Sequence, residues 1–304
     1  MINTFKYKKL TWVDLESPTK EEVKELIKKY GIHPLVADEL LKPTLRPKVD
    51  AYPKNAYLVL HFPIFDYSRN GCTSCEIDFV VEKDLIITAH YQTIGFLHEL
   101  TKIFEADAML KEYGLTKDAG MLFFNIIKQF YFSSTRQLEH IQEKISDVED
   151  KMFSGAEYDL VQQISLIRRD LIEFRRIIHS HQEIFVSFEP HAKKLFGKEF
   201  THYYNSIMGE YYKAWNMLES FNETIISLQD TTDSLLNHRS NEIMKNLTIM
   251  ASVTFPLALF ASLFGMNTVN TPIIGLSGDF WIISGFMTLA TMCMFIYFKR
   301  KKWL

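Results

Sequence analysis

Leu247–Asn267 reads LTIMASVTFPLALFASLFGMN and Phe280–Phe298 reads FWIISGFMTLATMCMFIYF, and neither run holds a formal charge. At 1.5 Å rise per residue, each spans about 30 Å as a helix, the thickness of a bilayer's hydrocarbon core. Buried helices of that length in a soluble protein normally keep a polar edge. These do not, so both runs are read as transmembrane helices, the first at 247–267 and the second at 280–298. Lys299-Arg300-Lys301-Lys302 abuts the second run, and Arg239 and Lys245 precede the first, while the connection at 268–279 has no Lys or Arg. The positive-inside rule then puts both chain termini in the cytoplasm and the connection outside. Trp281 and Trp303 suit the two interfaces. The reading is a multi-pass protein of the plasma (inner) membrane, with lipid as an obligatory partner and a basic cytoplasmic tail at 299–304.

The rest of the chain is unlike these runs. Of 304 residues 47% are apolar, but residues 1–240 carry 29 of the 34 Lys+Arg and 35 of the 37 Asp+Glu. A net charge of −3 without a dense basic patch interleaved with aromatics argues against a nucleic-acid partner. The start, MINTFKYKKLTW, lacks the apolar core of a cleavable signal peptide. Three cysteines make no disulfide framework, and the lone C-x-x-C of Cys72 and Cys75 lacks the second pair that a structural zinc site usually needs. These two are read as reduced thiols in a hairpin.

Residues 1–115 read as a cytoplasmic α/β or α+β domain. Ser17 caps a helix that has Pro18 in its first turn and stops at Gly31. Strands follow at Ala56–Ile64, Cys75–Val81 and Leu85–His90, with turns at Asn70-Gly71 and Lys83-Asp84, then a helix over Ile94–Tyr113. Residues 116–198 read as a helical hairpin turning at Ser154-Gly155 and interrupted at Pro190. From about Glu199 a helix of roughly 65 residues runs through a stalk (199–246) into the first span, about 100 Å in all. A helix that long must pack against neighbours or copies of itself.

This helix has two contrasting faces. Phe221, Ile225, Leu228 and Leu235 form an apolar seam. At seven-residue steps run Ser220, Ser227, Ser234, Asn241, Thr248, Phe255 and Ser262, and beside them Asn216, Glu223, Asp230, Asn237, Met244, Ala251 and Ala258. Residues three and four apart share a face, so the rows form one small, mostly polar stripe. Two readings stand: small residues allow close helix packing, or several copies of the helix enclose a hydrated lumen. The second accounts better for Glu223, Asp230, Asn237 and Asn241. Two spans per chain cannot enclose a pore, so a lumen requires a homo-oligomer.

Gly265-Met266-Asn267 closes the first span, Asn241–Ile249 reads NEIMKNLTI, Pro256-Leu257 stands midway, and the chain finishes in YFKRKKWL. In order and spacing these resemble the CorA family of Mg²⁺ channels, with its GMN signature. The likeness is specific over about 205–304 and looser upstream, where Arg46-Pro47-Lys48-Val49 is similar. The resemblance implies an α+β membrane protein that assembles as a homopentameric funnel, with the stalk helix lining the pore and the second spans forming an outer ring. It implies an ion filter at Gly265, Met266 and Asn267, and a cytoplasmic pore lined by Asp230 and Asn241. Met244 and Leu247 would form an inner constriction, with Phe255 and Ala258 midway along. Asn267 and Asp230 would hold Mg²⁺ through its hydrating waters, because the ion sheds water reluctantly. Gly265 would let the helix end so that Asn267 can face the axis. The implied activity is passive, potential-driven Mg²⁺ transport gated by cytoplasmic divalent ion, with no cofactor and no catalytic constellation. Related ZntB proteins carry Zn²⁺ on the same scaffold, so Zn²⁺, Co²⁺ or Ni²⁺ is the alternative cargo. A membrane-anchored helical scaffold or sensor without transport is the reading of another class.

One departure stands out. Many members carry an acid soon after the signature, in a loop often read MPEL. Here Thr268–Gly275 reads TVNTPIIG and the loop's one acid is the late Asp279. Family members also sense Mg²⁺ through cytoplasmic acids. Glu76, Asp78, Glu82, Asp84, Glu219 and Glu223 are available for that role, or are solvated surface charges.

Overall fold

A computed structural model describes residues 2–44, 46–66, 71–110, 118–152, 157–266, 273–275, 278–301 and 303. It divides into two compact units, Met1–Gln229 and Asp230–Leu304. The expected turns at Asn70-Gly71 and Ser154-Gly155 fall wholly or partly outside the described residues.

The first unit is built on a six-stranded sheet of β1 (Ile2–Tyr7), β2 (Leu10–Glu16), β3 (Lys48–Ala51), β4 (Ala56–Asp66), β5 (Gly71–Val81) and β6 (Leu85–His90). The order is β1-β2-β6-β5-β4-β3. Only β2 and β6 run parallel. The sequence reading located β4–β6 but not β1–β3. β1 and β3 are sheet edges, short and largely uncovered, and carry no continuous apolar run. β2 is buried on both faces, which removes the alternation that marks a strand.

One face of the sheet is covered by α1 (Lys20–Tyr30) and α2 (Pro34–Glu39), whose Val23, Leu26, Val36 and Ala37 pack with Val13, Leu15, Tyr57, Val59, Val80 and Ile87. The cap of α1 differs from expectation. Thr19, not Ser17, opens it: the Glu22 N–H donates to Thr19 Oγ1 at 3.3 Å and the Thr19 N–H donates to Glu22 Oε2 at 2.8 Å. The reciprocal pair satisfies two end donors, an arrangement that Ser17, two residues before it, cannot make with Glu22. Gly31 closes α1 with φ 68°, the left-handed turn that glycine tolerates best.

The other face carries α4 (Ala119–Met152), α5 (Glu157–Ile178) and α6 (His181–Phe196), while α3 (Gly95–Leu110) packs near β1. Aromatics form much of this layer. Phe62 stacks on Phe130 at 4.4 Å, Phe79 meets Phe123 at 5.2 Å, and Phe123 meets Phe188 at 5.3 Å. Each such fully buried ring contributes about 1.5–3 kcal/mol. Three helices thus stand where a hairpin was expected, and the break falls at His179-Ser180 instead of Pro190. The proline lies inside α6, which continues because Phe185, Phe188 and Ala192 are buried along its inner side. Gly120 marks the tightest approach in this layer: a Cβ there would stand 2.9 Å from Phe196 Cγ and 3.0 Å from Phe200 Cδ2.

His181, the first residue of α6, ties that helix to α4 and β4. Its ring is fully buried, Nδ1 accepts the Tyr131 hydroxyl at 2.7 Å, and Nε2 donates to the His61 carbonyl at 2.7 Å. Burial pushes its pKa down to about 4. Between the unfolded value near 6.5 and that folded value, the unfolded chain takes up a proton that the folded chain refuses. Stability therefore falls as pH falls through this window, by about 3 kcal/mol in total. Chemical denaturation of the detergent-solubilised protein at pH 7 and pH 4.5 should show this loss, and His181→Gln should flatten the difference.

Helix α7 spans Phe200–Phe264, 65 residues, with Pro256 inside it. Within the first unit it buries Tyr204, Ile207, Tyr211, Ala214, Leu218, Ile225 and Leu228, the three-and-four spacing of the expected seam. Arg175 pairs with Glu219 at 3.3 Å and Arg168 donates to Gln229 at 2.6 Å.

The second unit holds the rest of α7 and α8 (Asp279–Arg300), both long and apolar enough to cross a membrane. Phe260 packs on Phe286 at 5.7 Å. Few of their side chains are covered by the chain itself: Phe255 is 74% exposed and Trp281 77%. A soluble core would bury such rings, so these helices present a surface for lipid or for other copies.

Candidate functional site

The site is built on α7, where spacing alone sets which side chains meet. Ile249 is buried and Phe260 packs on α8. At about 100° per residue, Met244, Leu247, Phe255 and Ala258 fall within about 80° of one another, roughly opposite Ile249 and Phe260. All four are exposed, as are Asp230 and Asn241. The expected lining residues therefore lie within the wide arc of α7 that α8 leaves uncovered, an arc that also holds Met250, Leu259 and Leu263.

The stripe is less uniform than its spacing implied. Thr248 and Ser252 border a cavity shared with Cys293 and Met294 of α8, so the Thr248 position of the seven-residue row is turned partly toward α8. Its hydroxyl donates to the Met244 carbonyl at 2.7 Å, and Ser234 donates to the Asp230 carbonyl at 2.8 Å. Hydroxyls satisfied by their own helix need no lumen water. The carboxylate of Asp230 and the amide oxygen of Asn241 have no proton to donate and cannot be satisfied by that device, and they carry the polar character of the face.

Of the expected filter, Gly265 and Met266 are described and Asn267 lies outside the described residues. Gly265 does not take the left-handed conformation expected of a helix-ending glycine. Its constraint is steric: a Cβ would stand 3.1 Å from the Ala261 carbonyl oxygen, crowding the last turn. Asp279, the one acid of the connection, is engaged locally. Its Oδ2 accepts from the Gly275 N–H at 3.2 Å and its Oδ1 from the Phe280 N–H at 2.7 Å. It fastens the start of α8, a role that the sequence reading missed.

The candidate cytoplasmic acids separate clearly. Asp78 is fully buried and accepts the Tyr57 and Tyr91 hydroxyls at 3.1 and 3.2 Å. Burial, followed by the charge of Glu76, raises its pKa well above the usual carboxylate range. Glu76 is buried as well, bound to the Thr44 N–H at 2.8 Å and to His61 at 3.1 Å. Neither can serve a surface ion site. Glu82 holds Asn55 and Glu219 holds Arg175, while Asp84 and Glu223 remain exposed. Cys72 and Cys75 have pKa values pushed up to about 12 by burial, which makes them inert thiols. Among the described residues, no three His, Cys, Asp or Glu side chains converge to hold a metal.

Comparison with known proteins gives these features a context. Residues 7–300 match the family model described as CorA-like Mg²⁺ transporter protein. Among sequences, the cobalt/magnesium transport protein CorA of Thermotoga maritima is 25% identical over 299 residues, covering 97% of this chain and 83% of the relative. The complete structure of the CorA magnesium transporter from Methanocaldococcus jannaschii shares the fold with a TM-score of 0.86 at 22% identity, covering 99% of this chain and 94% of that one. The ZntB cytoplasmic domain from Vibrio parahaemolyticus matches with a TM-score of 0.53 at 13% identity, over 75% of this chain and 88% of that one.

Proposed function

The chain belongs to the CorA-like Mg²⁺ transporter protein family, and from that membership we propose that it carries Mg²⁺ passively into the cytoplasm as a homopentamer. The observation that carries this reading is the uncovered face of α7, where Met244, Leu247, Phe255 and Ala258 lie opposite the contact with α8. Copies of α7 gathered about one axis turn that face inward and place Asp230 and Asn241 along the cytoplasmic stretch. Both termini lie in the cytoplasm, and the second spans meet lipid outside the pore helices.

Transport is driven by the membrane potential. A divalent ion entering across 100 mV gains about 4.6 kcal/mol, so no coupled hydrolysis is needed. Gly265, Met266 and Asn267 form the outer filter, where amide oxygens hold the ion through its waters without trapping it as a ring of carboxylates would. Asp230 does the same at the cytoplasmic end. Met244 and Leu247 form the gate, closed by dewetting when cytoplasmic divalent ion is plentiful. Asp279 keeps its negative charge but is held at the start of α8 by backbone N–H groups, so attraction of cations at the mouth is weaker than that of an acid placed just after the signature.

Proteoliposomes under a set inside-negative potential test the cargo. Uptake of Mg²⁺ should exceed that of Zn²⁺, and should persist without a proton gradient. The likeness to a ZntB cytoplasmic domain supports a second reading, Zn²⁺, Co²⁺ or Ni²⁺ as cargo. Zn²⁺ uptake that rises with a proton gradient while Mg²⁺ stays still would establish that reading instead. Equal, near-zero flux of every ion would leave a scaffold without transport.

A further inference from the structure

We propose that the C-terminal end of α8 holds an anionic phospholipid, its acyl chain in a cavity between α7 and α8 and its phosphate on Lys301. The proposal rests on α7 and α8 crossing a bilayer, as argued above. The cavity has a volume of about 510 Å³, with Thr248, Ser252, Cys293 and Met294 among its walls and Lys301 and Trp303 among the residues that line it. The Thr248 wall is apolar in effect, because its hydroxyl is already bonded to the Met244 carbonyl.

The tail is folded to hold the cation in place. After α8 the chain turns so that the Trp303 N–H donates to the Phe298 carbonyl at 3.0 Å, and the Trp303 ring stacks on Phe298 at 5.9 Å with planes 19° apart. The Lys301 ammonium then sits over two rings, 5.7 Å from the centre of Tyr297 and 5.6 Å from that of Trp303. Ring faces attract the ammonium without using up its N–H donors, so these stay free for phosphate oxygens. Among the described residues no carboxylate pairs with Lys299, Arg300 or Lys301. An apolar slot with an unneutralised cation and an indole at one end is complementary to a negatively charged lipid, whose apolar tail and charged head are likewise joined end to end.

The test uses the full chain reconstituted in phosphatidylcholine vesicles that contain a small, equal mole fraction of brominated phosphatidylglycerol or brominated phosphatidylcholine. Emission of Trp303 is isolated by difference from Trp303→Phe, and that of Trp281 by difference from Trp281→Phe. Brominated phosphatidylglycerol should quench Trp303 about fivefold more effectively than the zwitterionic lipid, the selectivity expected of one basic group at a membrane surface. Lys301→Gln should lower the preference to the residual supplied by the neighbouring basic residues of the tail, and Lys301→Arg should retain it. Parity in the unaltered protein would overturn the proposal. So would quenching of Trp281 with none of Trp303, which would mean that a second copy of the chain covers the cavity. Quenching of neither tryptophan would overturn the membrane placement and this proposal together.

Discussion

Asn267→Ala should lower Mg²⁺ flux by more than about a hundredfold while leaving the assembly intact. In the proposed filter the hydrated ion is held by amide oxygens accepting hydrogen bonds from its water shell, and each such bond is worth about 1 kcal/mol net. Losing one from every copy in the ring removes several kcal/mol from a single point on the path, and 1.4 kcal/mol is a factor of ten in rate. Alanine is small and position 267 follows Phe264, the last residue of α7, by three in the sequence, so folding and oligomer size should be unchanged. Asn267→Gln should recover part of the flux, because it keeps the amide but displaces it. Flux assays paired with sizing in detergent measure both arms, and full transport by the alanine variant would remove Asn267 from the filter.

Leu247→Asn should raise flux about tenfold or more when cytoplasmic Mg²⁺ is high, the condition in which the proposed gate is closed. Leu247 is 56% exposed in the single chain and stands one turn from Met244, itself 59% exposed. Apolar rings at a narrow point expel water, and an ion cannot cross without its hydration. An amide lets water stay, and a drop of 1.4 kcal/mol in that barrier suffices for tenfold. The effect should shrink when internal Mg²⁺ is removed, because an open gate is already wet. An unchanged closed-state flux would place the gate elsewhere.

Long-range periodicity was the most legible part of the sequence. The charge-free runs and the seven-residue seam located α7 and α8 because helices of that length leave little room for other readings. Strands β4–β6 were legible for the same reason, as apolar runs bounded by breaks. Local competition was harder to read. Ser17 and Thr19 both look like caps, and only the reciprocal bond with Glu22 selects Thr19. Pro190 looks like a stop, yet tertiary burial of Phe185, Phe188 and Ala192 carries α6 through it. Buried groups were hidden as well. Glu76 and Asp78 read as available surface acids, because nothing in one sequence reveals that β5 is enclosed, that Tyr57 and Tyr91 bond one oxygen of Asp78, and that Thr44 and His61 bond those of Glu76. The candidate path was visible as a stripe, but the turn of Thr248 toward α8 depends on how two helices cross, which spacing on one of them does not encode.

The central claim is that copies of α7 gather about one axis with the face bearing Ala258 turned to water. A charged thiol reagent added to Ala258→Cys in proteoliposomes, with Cys72, Cys75 and Cys293 replaced by serine, tests it directly. The account predicts modification from the aqueous phase and a block of Mg²⁺ flux, with Leu259→Cys on the neighbouring face left unmodified. Protection of Ala258→Cys together with modification of Leu259→Cys, or flux untouched by labelling of Ala258→Cys, would contradict it.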